Sequence, residues 1–281
     1  MAEVDSRKTR SSRKTRKYRS SRNSRNSRKT RKNKDNTNTN LNYTIMKNFK
    51  RLGFTAFMMM AGATVMTAQD NVETTISADV VNQYIWRGTK CGEASFQPTL
   101  GVAYKGLSLS AWGSTEISNF GGSKEFDLTL GYSTGGFNIG ITDYWFDGGD
   151  TKYFKYGAHS TAHVFEGNIG YDFGPLSLQW FTNFAGSDYK GDGDRAYSSY
   201  VELNVPFKLG GLGWDATIGA VPFEDNGVYG YCDGFAVTNV SLKAAKDIKI
   251  TDSFSVPVFA QIVGNPHDQK AYFVCGFTLI P

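Results

Sequence analysis

The 281-residue sequence lacks a long apolar run after Asp70, and it shows no persistent helical periodicity there. The first absence excludes a membrane-spanning helix from this part of the chain, and the second argues against a helical domain. Basic residues are also scarce here, because Asp70–Pro281 holds 13 Lys/Arg against 23 Asp/Glu. This balance excludes a basic nucleic-acid-binding domain for the bulk of the chain, and we expect no nucleic-acid partner.

Residues 1–45 have the opposite character, with fifteen Lys/Arg against three Asp/Glu. The motif SRKTR occurs at Ser6–Arg10 and Ser12–Arg16 and returns as SRKTRK at Ser27–Lys32. Almost nothing apolar is available to offset the entropy of ordering, so we predict a disordered basic extension. It either binds nucleic acid or anionic membranes, or it precedes the true translation start at Met46.

Residues 46–68 have the pattern of a signal peptide. Lys47, Lys50 and Arg51 form a positive region, and the apolar run Leu52–Val65 follows. Thr67 and Ala68 supply small residues before Gln69, where we place the cleavage site. No cysteine follows closely, which argues against a lipoprotein anchor. We therefore predict export, with residues 69–281 forming the mature domain.

The mature domain shows period-two alternation, which is typical of strands. In one segment Phe126, Leu128 and Leu130 alternate with Asp127 and Thr129. Twelve such segments follow one another: 72–87, 96–105, 107–116, 125–133, 137–146, 162–173, 176–185, 196–207, 212–222, 235–245, 253–263 and 271–280. An even number of segments of about ten residues predicts an all-β fold, a transmembrane antiparallel β-barrel of about 12 strands.

The connections alternate between tight Gly-rich turns and longer polar loops, which predicts short periplasmic turns, longer extracellular loops and periplasmic termini. Lys246–Asp252 is assigned to the turns. Outward-facing aromatics should form two belts, one near the loops and one near the turns, at Tyr84, Trp86, Phe96, Trp145, Phe184 and Tyr197 and at Tyr104, Tyr132, Tyr171, Phe173, Phe207 and Trp214. A soluble all-β protein would explain the alternation, but not the asymmetric connections or the paired belts.

Three runs in the first half of the domain resemble the TorF-like porin family of small Gram-negative outer-membrane barrels. They are SADVVNQYIWRGT (Ser77–Thr89), FQPTLGVAYKGLSLSAWGS (Phe96–Ser114) and EFDLTLGY (Glu125–Tyr132). The resemblance covers most of Val72–Phe146. It implies an outer-membrane barrel that forms a pore, with no catalytic residues to carry over.

Inward-facing charged side chains would line the pore of such a barrel. Alternation selects nine acids and three bases: Glu73, Asp79, Glu116, Glu125, Asp127, Glu166, Asp172, Glu202, Asp215, Arg87, Lys105 and Lys243. An acidic lumen attracts cations, so the first hypothesis is a monomeric outer-membrane porin for passive diffusion of small polar solutes or cations. Interior salt bridges in a filled barrel are the alternative, and the protein would then be a non-conducting surface-binding or structural barrel. We expect outer-membrane lipid as a partner, and no enzyme activity, cofactor or metal.

Two smaller groups bear on other functions. His159, Ser160, His163 and Glu166 lie together at the start of a strand, and a barrel lipid hydrolase is the third hypothesis. No nucleophile elbow accompanies them, and His163 falls on the lipid-facing side. Cys91 and Cys232 both lie in long loops, so a disulfide between them is possible in an exported protein.

One residue contradicts the alternation. Asp143 falls on the apolar face between Ile141 and Trp145, where a charge in the bilayer is costly. Either a bulge or a position at the membrane interface would explain it.

Overall fold

A computed structural model describes residues 72–119, 122, 124–147, 151–252 and 254–281. The basic extension 1–45 and the signal peptide 46–68 lie outside the described residues. None of the described residues belongs to a helix that is long and apolar enough to cross a membrane. The strands in chain order are β1 (Glu73–Val81), β2 (Tyr84–Trp86), β3 (Thr89–Gly92), β4 (Ser95–Tyr104), β5 (Leu107–Glu116), β6 (Lys124–Thr134), β7 (Phe137–Asp147), β8 (His163–Asp172), β9 (Ser177–Gly186), β10 (Ser199–Leu209), β11 (Leu212–Val221), β12 (Ala236–Lys249), β13 (Ser255–Asn265) and β14 (Lys270–Leu279).

Twelve of these strands form a closed antiparallel barrel. From β4 to β14 each barrel strand pairs with the next along the chain, and β1 closes the sheet by pairing with both β4 and β14. The predicted all-β fold, strand number and antiparallel order are therefore confirmed. The predicted turn Lys246–Asp252 is wrong in its first half, because β12 continues to Lys249, opposite Ser255 of β13.

The two faces of the barrel differ in chemistry, because alternate side chains of each strand point to opposite faces. The outward-facing side chains, which we call the outer wall, include exposed large apolar residues on every side, among them Ile76, Leu100, Leu109, Leu130, Ile139, Ile169, Leu178, Ile218, Leu242, Ile262 and Phe273. The inward-facing side chains are mostly polar and buried, for example Gln97, Asp127, Asn168, Gln179, Asn204 and Ser241. An apolar exterior around a polar interior is the pattern of an outer-membrane barrel.

The first predicted strand, 72–87, is wrong in its second half. The barrel strand β1 ends at Val81, and the chain then turns into the barrel as a separate two-stranded sheet, β2–β3. We call this segment, Tyr84–Gly92, the lumen hairpin. Tyr84 and Trp86, predicted in the outer aromatic belt, therefore lie inside, where the Tyr84 ring centroid is 5.5 Å from that of Trp112.

Candidate functional site inside the barrel

The lumen hairpin is formed by a two-residue turn. Trp86 pairs with Thr89, and the intervening Arg87 and Gly88 have φ angles of 50° and 85°. Positive φ at both central positions matches the twist of the flanking strands and is favourable for glycine at the second one. A Cβ on Gly88 would lie 1.8 Å from the carbonyl oxygen of Thr238 on β12, so the turn packs directly on the barrel backbone.

Arg87, at the tip of the hairpin, forms a buried ion pair with Glu166 of β8. Its Nη1 and Nη2 donate to Glu166 Oε2 and Oε1 at 2.5 and 3.1 Å. The hydroxyls of Tyr144 and Tyr229 donate to the same carboxylate at 2.9 and 2.5 Å. Burial alone would lower the pKa of Arg87, but Glu166 and the two tyrosines outweigh it and raise this pKa above its usual range. Four donors thus satisfy a carboxylate that is almost fully buried.

Aromatic rings enclose the guanidinium group of Arg87. Its carbon lies 3.9 Å from the ring centroid of Phe181, 4.7 Å from that of Tyr200 and 5.1 Å from that of Tyr229. Phe181 belongs to β9, which is five strands around the barrel from β4. Tyr200 belongs to β10, which is five strands from β1 in the other direction. The hairpin starts between β1 and β4, so its tip crosses the whole lumen to the opposite wall.

A second segment, the loop 222–235 between β11 and β12, enters the lumen beside the hairpin. One carboxylate oxygen of buried Asp225 accepts hydrogen bonds from the amides of Gly227, Tyr229, Gly230 and Tyr231, at 2.9–3.1 Å. This arrangement fixes the loop and directs Tyr229 inward. The ring centroids of Tyr229 and Trp86 are 5.6 Å apart, so the loop and the hairpin pack on each other.

The other residues predicted to line a pore fall into two groups. Asp79, Glu125, Asp127 and Glu202 are buried in the interior, and Lys243 lies close enough to Asp79 and Asp215 for electrostatic interaction. The other four predicted residues lie at the rims of the barrel and not in its interior. Glu73 and Lys105 are exposed at the short-turn rim, Asp172 caps the amide of Gly174 there, and Glu116 accepts the Glu93 amide at the long-loop rim. Strands end at the rims, so alternation alone could not separate these residues from the interior.

One cavity beside the hairpin is small. The cavity between the hairpin and β1, β4, β5, β12, β13 and β14 has a volume of about 50 Å³, and Asp79, Tyr84, Trp86, Trp112 and Lys243 are among its lining residues. This volume holds one or two water molecules. Among the described residues, Glu166 is the predicted lumen acid that forms an ion pair, with Arg87, whereas Asp79, Glu125, Asp127 and Glu202 are buried without one.

His163 and Asp143 lie together on the outer wall. His163 Nδ1 is 2.7 Å from Asp143 Oδ1, and His163 Nε2 is 2.6 Å from the carbonyl oxygen of Tyr153. Ser160 donates its hydroxyl hydrogen to the Gly157 carbonyl, so it does not pair with His163. The register of β7 is regular at Asp143, which excludes the predicted bulge there.

All three cysteines are free in the structure, so the predicted bridge between Cys91 and Cys232 is not formed there. The Cys91 thiol contacts the Thr89 carbonyl oxygen at 3.7 Å, and Cys232 packs in the aromatic cluster around Trp86 and Tyr229. Burial, followed by the nearby acids Asp225, Asp268 and Asp233, raises the pKa of Cys232 to about 11. Cys275 faces outward from β14.

Comparisons with known proteins add little beyond the fold. No family model matches the chain, and no curated protein matches it. Among solved structures, the chain is similar to the outer membrane phospholipase of Salmonella typhi, described as a dimer with bound calcium. The two share 11% identity with a TM-score of 0.35, over 79% of this chain and 95% of that one. Similarity at this level does not transfer an activity.

Proposed function

We propose that this protein is an outer-membrane barrel with a closed lumen, which acts through its surface rather than by passive diffusion of solutes. The proposal depends above all on the lumen hairpin. Arg87 crosses from the β1–β4 side to Glu166, Phe181 and Tyr200. A solute could pass only if this buried, fully hydrogen-bonded ion pair were broken.

Location in the outer membrane is supported by the outer wall. Its large apolar side chains remain exposed around the whole barrel, and such a surface is stable in lipid but aggregation-prone in water. Aromatic residues at both ends of the strands, such as Phe184 near the loops and Tyr132 near the turns, fit the two interfaces of a bilayer. The resemblance to TorF-like porins stays a prediction.

A surface role is supported by the rigidity of the long loops. Arg195 donates to the carbonyl oxygens of Gly186 and Asp188 at 2.6 and 3.3 Å, and Asp188 accepts the amide and the hydroxyl of Ser198. Together with Asp225 in the loop 222–235, these bonds hold two loops in fixed conformations. Fixed loops present side chains at a low entropic cost of binding.

Catalysis is not part of the proposal. A serine hydrolase needs a nucleophile within hydrogen-bond reach of a basic histidine nitrogen. Both ring nitrogens of His163 already contact oxygen acceptors, and the hydroxyl of Ser160 is directed to Gly157. The third hypothesis, a barrel lipid hydrolase, therefore has no support in this geometry.

Single-channel recording in planar bilayers tests the proposal. We expect the folded wild-type protein to give no discrete conductance steps. A variant in which residues 83–93 are replaced by a short Gly-Ser linker should give steps that are cation-selective, because Glu125, Asp127 and Glu202 would then face water while Tyr229 still covers Glu166. A heat-modifiable gel band shows that both proteins are folded.

Wild-type steps as large as those of the linker variant would contradict the proposal. The passive-diffusion porin would then be the better hypothesis, and the hairpin would have to leave the lumen in the membrane. Anion-selective steps from the linker variant would instead show that the assignment of an acidic interior is wrong.

A further inference from the structure

Residues 151–162 fold back from the long-loop rim onto the outer wall. The ring centroid of Tyr153 lies 5.6 Å from that of Phe126 and 5.5 Å from that of Trp145. Tyr156 packs 4.4 Å from the ring of His163, and both Phe126 and Trp145 are outward-facing residues of β6 and β7. This segment, which we call the wall loop, therefore extends the surface of the barrel that faces lipid.

His163 fixes the wall loop in place. Its two ring nitrogens face a carboxylate oxygen of Asp143 and the carbonyl oxygen of Tyr153, and both partners act as acceptors. One imidazole ring thus holds both the Asp143 side chain and the Tyr153 backbone. His163 is fully buried under Tyr153 and Tyr156. The pair explains how an acid is tolerated on the apolar face, and it anchors the backbone of the loop.

The anchored loop presents a turn to the outside. The Lys155 amide donates to the Lys152 carbonyl at 3.1 Å, which places Tyr153 and Phe154 at the centre of the turn. Tyr153 points to the wall, whereas the Phe154 side chain is 88% exposed. Lys152 and Lys155 flank it and are also exposed, and within the described part of the chain neither has a carboxylate partner.

We propose that this turn binds the anionic headgroups of lipids in the leaflet on the long-loop side. The two lysines would contact lipid phosphates while Phe154 enters the interface beside them, a combination typical of interfacial anchors. Charge complementarity supports a lipid partner, because these are two exposed cations on a domain that is acidic overall. Continuity supports it too, since the turn rests directly on the outer wall.

A soluble anion would not account for Phe154, which leaves an apolar ring in water unless a membrane or another protein covers it. The inference rests on the membrane location in the proposed function, and not on whether the lumen is closed. It is therefore independent of the conductance experiment.

Fluorescence quenching tests the inference on the full chain, folded into phosphatidylcholine vesicles that contain some phosphatidylglycerol. A Phe154→Trp variant is compared with the parent, so that the difference reports position 154 alone. Two samples of the same lipid composition carry bromine only on the phosphatidylglycerol or only on the phosphatidylcholine. At low salt we expect quenching per brominated lipid to favour phosphatidylglycerol, by about fivefold for each lysine.

Two further variants in the Phe154→Trp background locate the effect. The double substitution Lys152→Gln/Lys155→Gln should abolish the preference for phosphatidylglycerol. The control Lys90→Gln/Lys270→Gln removes the same number of positive charges, from lysines that pair with Glu93 and Asp268, and should retain the preference. Equal loss in both pairs would mean that net charge, and not the turn, attracts the lipid, and it would overturn the inference.

Other outcomes are equally decisive. Equal quenching by the two brominated lipids would overturn the inference, because the turn would then meet lipid without selecting a headgroup. Emission at a solvent-like wavelength without quenching would also overturn the inference, because the tryptophan at position 154 would then be in water. Blue-shifted emission without quenching would overturn it too, because a second protein would then cover that position. Quenching of the parent's tryptophan emission, to which the outer-wall residues Trp145, Trp180 and Trp214 all contribute, confirms insertion. A failure of membrane location is therefore distinguished from a failure of the turn.

Discussion

At the scale of single residues, the most consequential group is the carboxylate of Glu166. It is nearly inaccessible to solvent and accepts hydrogen bonds from Arg87, Tyr144 and Tyr229. Removing two charges from water is expensive, and only full hydrogen bonding repays the cost. The pair is therefore a poor source of net stability, but neither partner can be removed alone.

Substitution of either partner alone should destabilise the barrel. Arg87→Met leaves an uncompensated buried carboxylate, and Glu166→Leu leaves an uncompensated guanidinium, so each should lower the free energy of unfolding by about 3–5 kcal/mol. The double substitution should be less destabilising than the sum of the two. Denaturant titration in lipid vesicles gives the three values, and strict additivity would mean that the two residues do not interact.

The cysteines provide a second residue-scale prediction. The raised pKa of Cys232, about 11, keeps its thiol protonated well above neutral pH, and burial also restricts access. In the folded protein at pH 8 we expect negligible alkylation of Cys232, whereas the unfolded chain should react at the ordinary rate for a pKa near 8.5.

Counting labelled thiols by mass spectrometry checks this prediction. After denaturation without a reductant, all three cysteines should be alkylated. A single labelled residue, Cys275, would instead show that Cys91 and Cys232 form the disulfide predicted from their loops.

At the scale of elements, the lumen hairpin differs from the barrel strands because its position depends on one glycine. Gly88 combines a positive φ with a position where an added Cβ would lie 1.8 Å from the Thr238 carbonyl oxygen of β12. The side-chain Nδ2 of Asn265 also donates to the Gly88 carbonyl oxygen at 3.2 Å. The tip of the hairpin thus contacts β12 and β13 as well as the opposite wall.

Gly88→Ala should displace the hairpin tip, since a Cβ there has no room. Gly135→Ala is the matched control, because Gly135 also has a positive φ, 56°, but a Cβ added to it would meet nothing within 4 Å. The control should cost about 1–2 kcal/mol of backbone strain, and Gly88→Ala should cost more and produce conductance. Equal destabilisation with no conductance in either variant would show that the hairpin tolerates a shift of its tip.

The barrel strands were predictable because every strand follows one rule, apolar outside and polar inside. The lumen hairpin was not, since Tyr84 and Trp86 continue that alternation after β1 has ended. One signal was present: Asn82 interrupts the apolar face, and in the structure its side chain bonds to β14 at the point where the chain leaves the barrel. Tyr144, Tyr200 and Tyr229 were missed because only the folded chain brings them to Arg87.

At the scale of the whole molecule, the outer wall explains why the interior can be polar. The apolar residues that would form the core of a soluble protein are turned outward, so lipid solvates them and the interior is left to polar side chains and the ion pair of Arg87 with Glu166. Because the outer wall faces lipid, a charged side chain on it should be most costly near the middle of the strands and least costly near their ends.

Arginine substitutions on the outer wall should show that dependence. Leu130→Arg, in the central part of β6, should lower the free energy of unfolding in vesicles by about 2–4 kcal/mol, whereas Leu209→Arg, at the short-turn end of β10, should cost about 0–1 kcal/mol. Both leucines are exposed, so burial does not distinguish them. Equal costs would mean that the wall does not face a bilayer.

The junction between β1 and β14 is the contact that closes the barrel. Only four residue pairs join these strands, and the backbone and side chain of Asn82 extend the contact to Phe273 and Cys275. Partners such as Asp79 and Thr278 are 199 positions apart, so this contact has the highest loop-closure cost in the sheet. The lumen hairpin begins directly after Asn82, at that junction. Arg87 binds Glu166 on β8 across the lumen, so the segment that closes the barrel also joins two opposite walls of it.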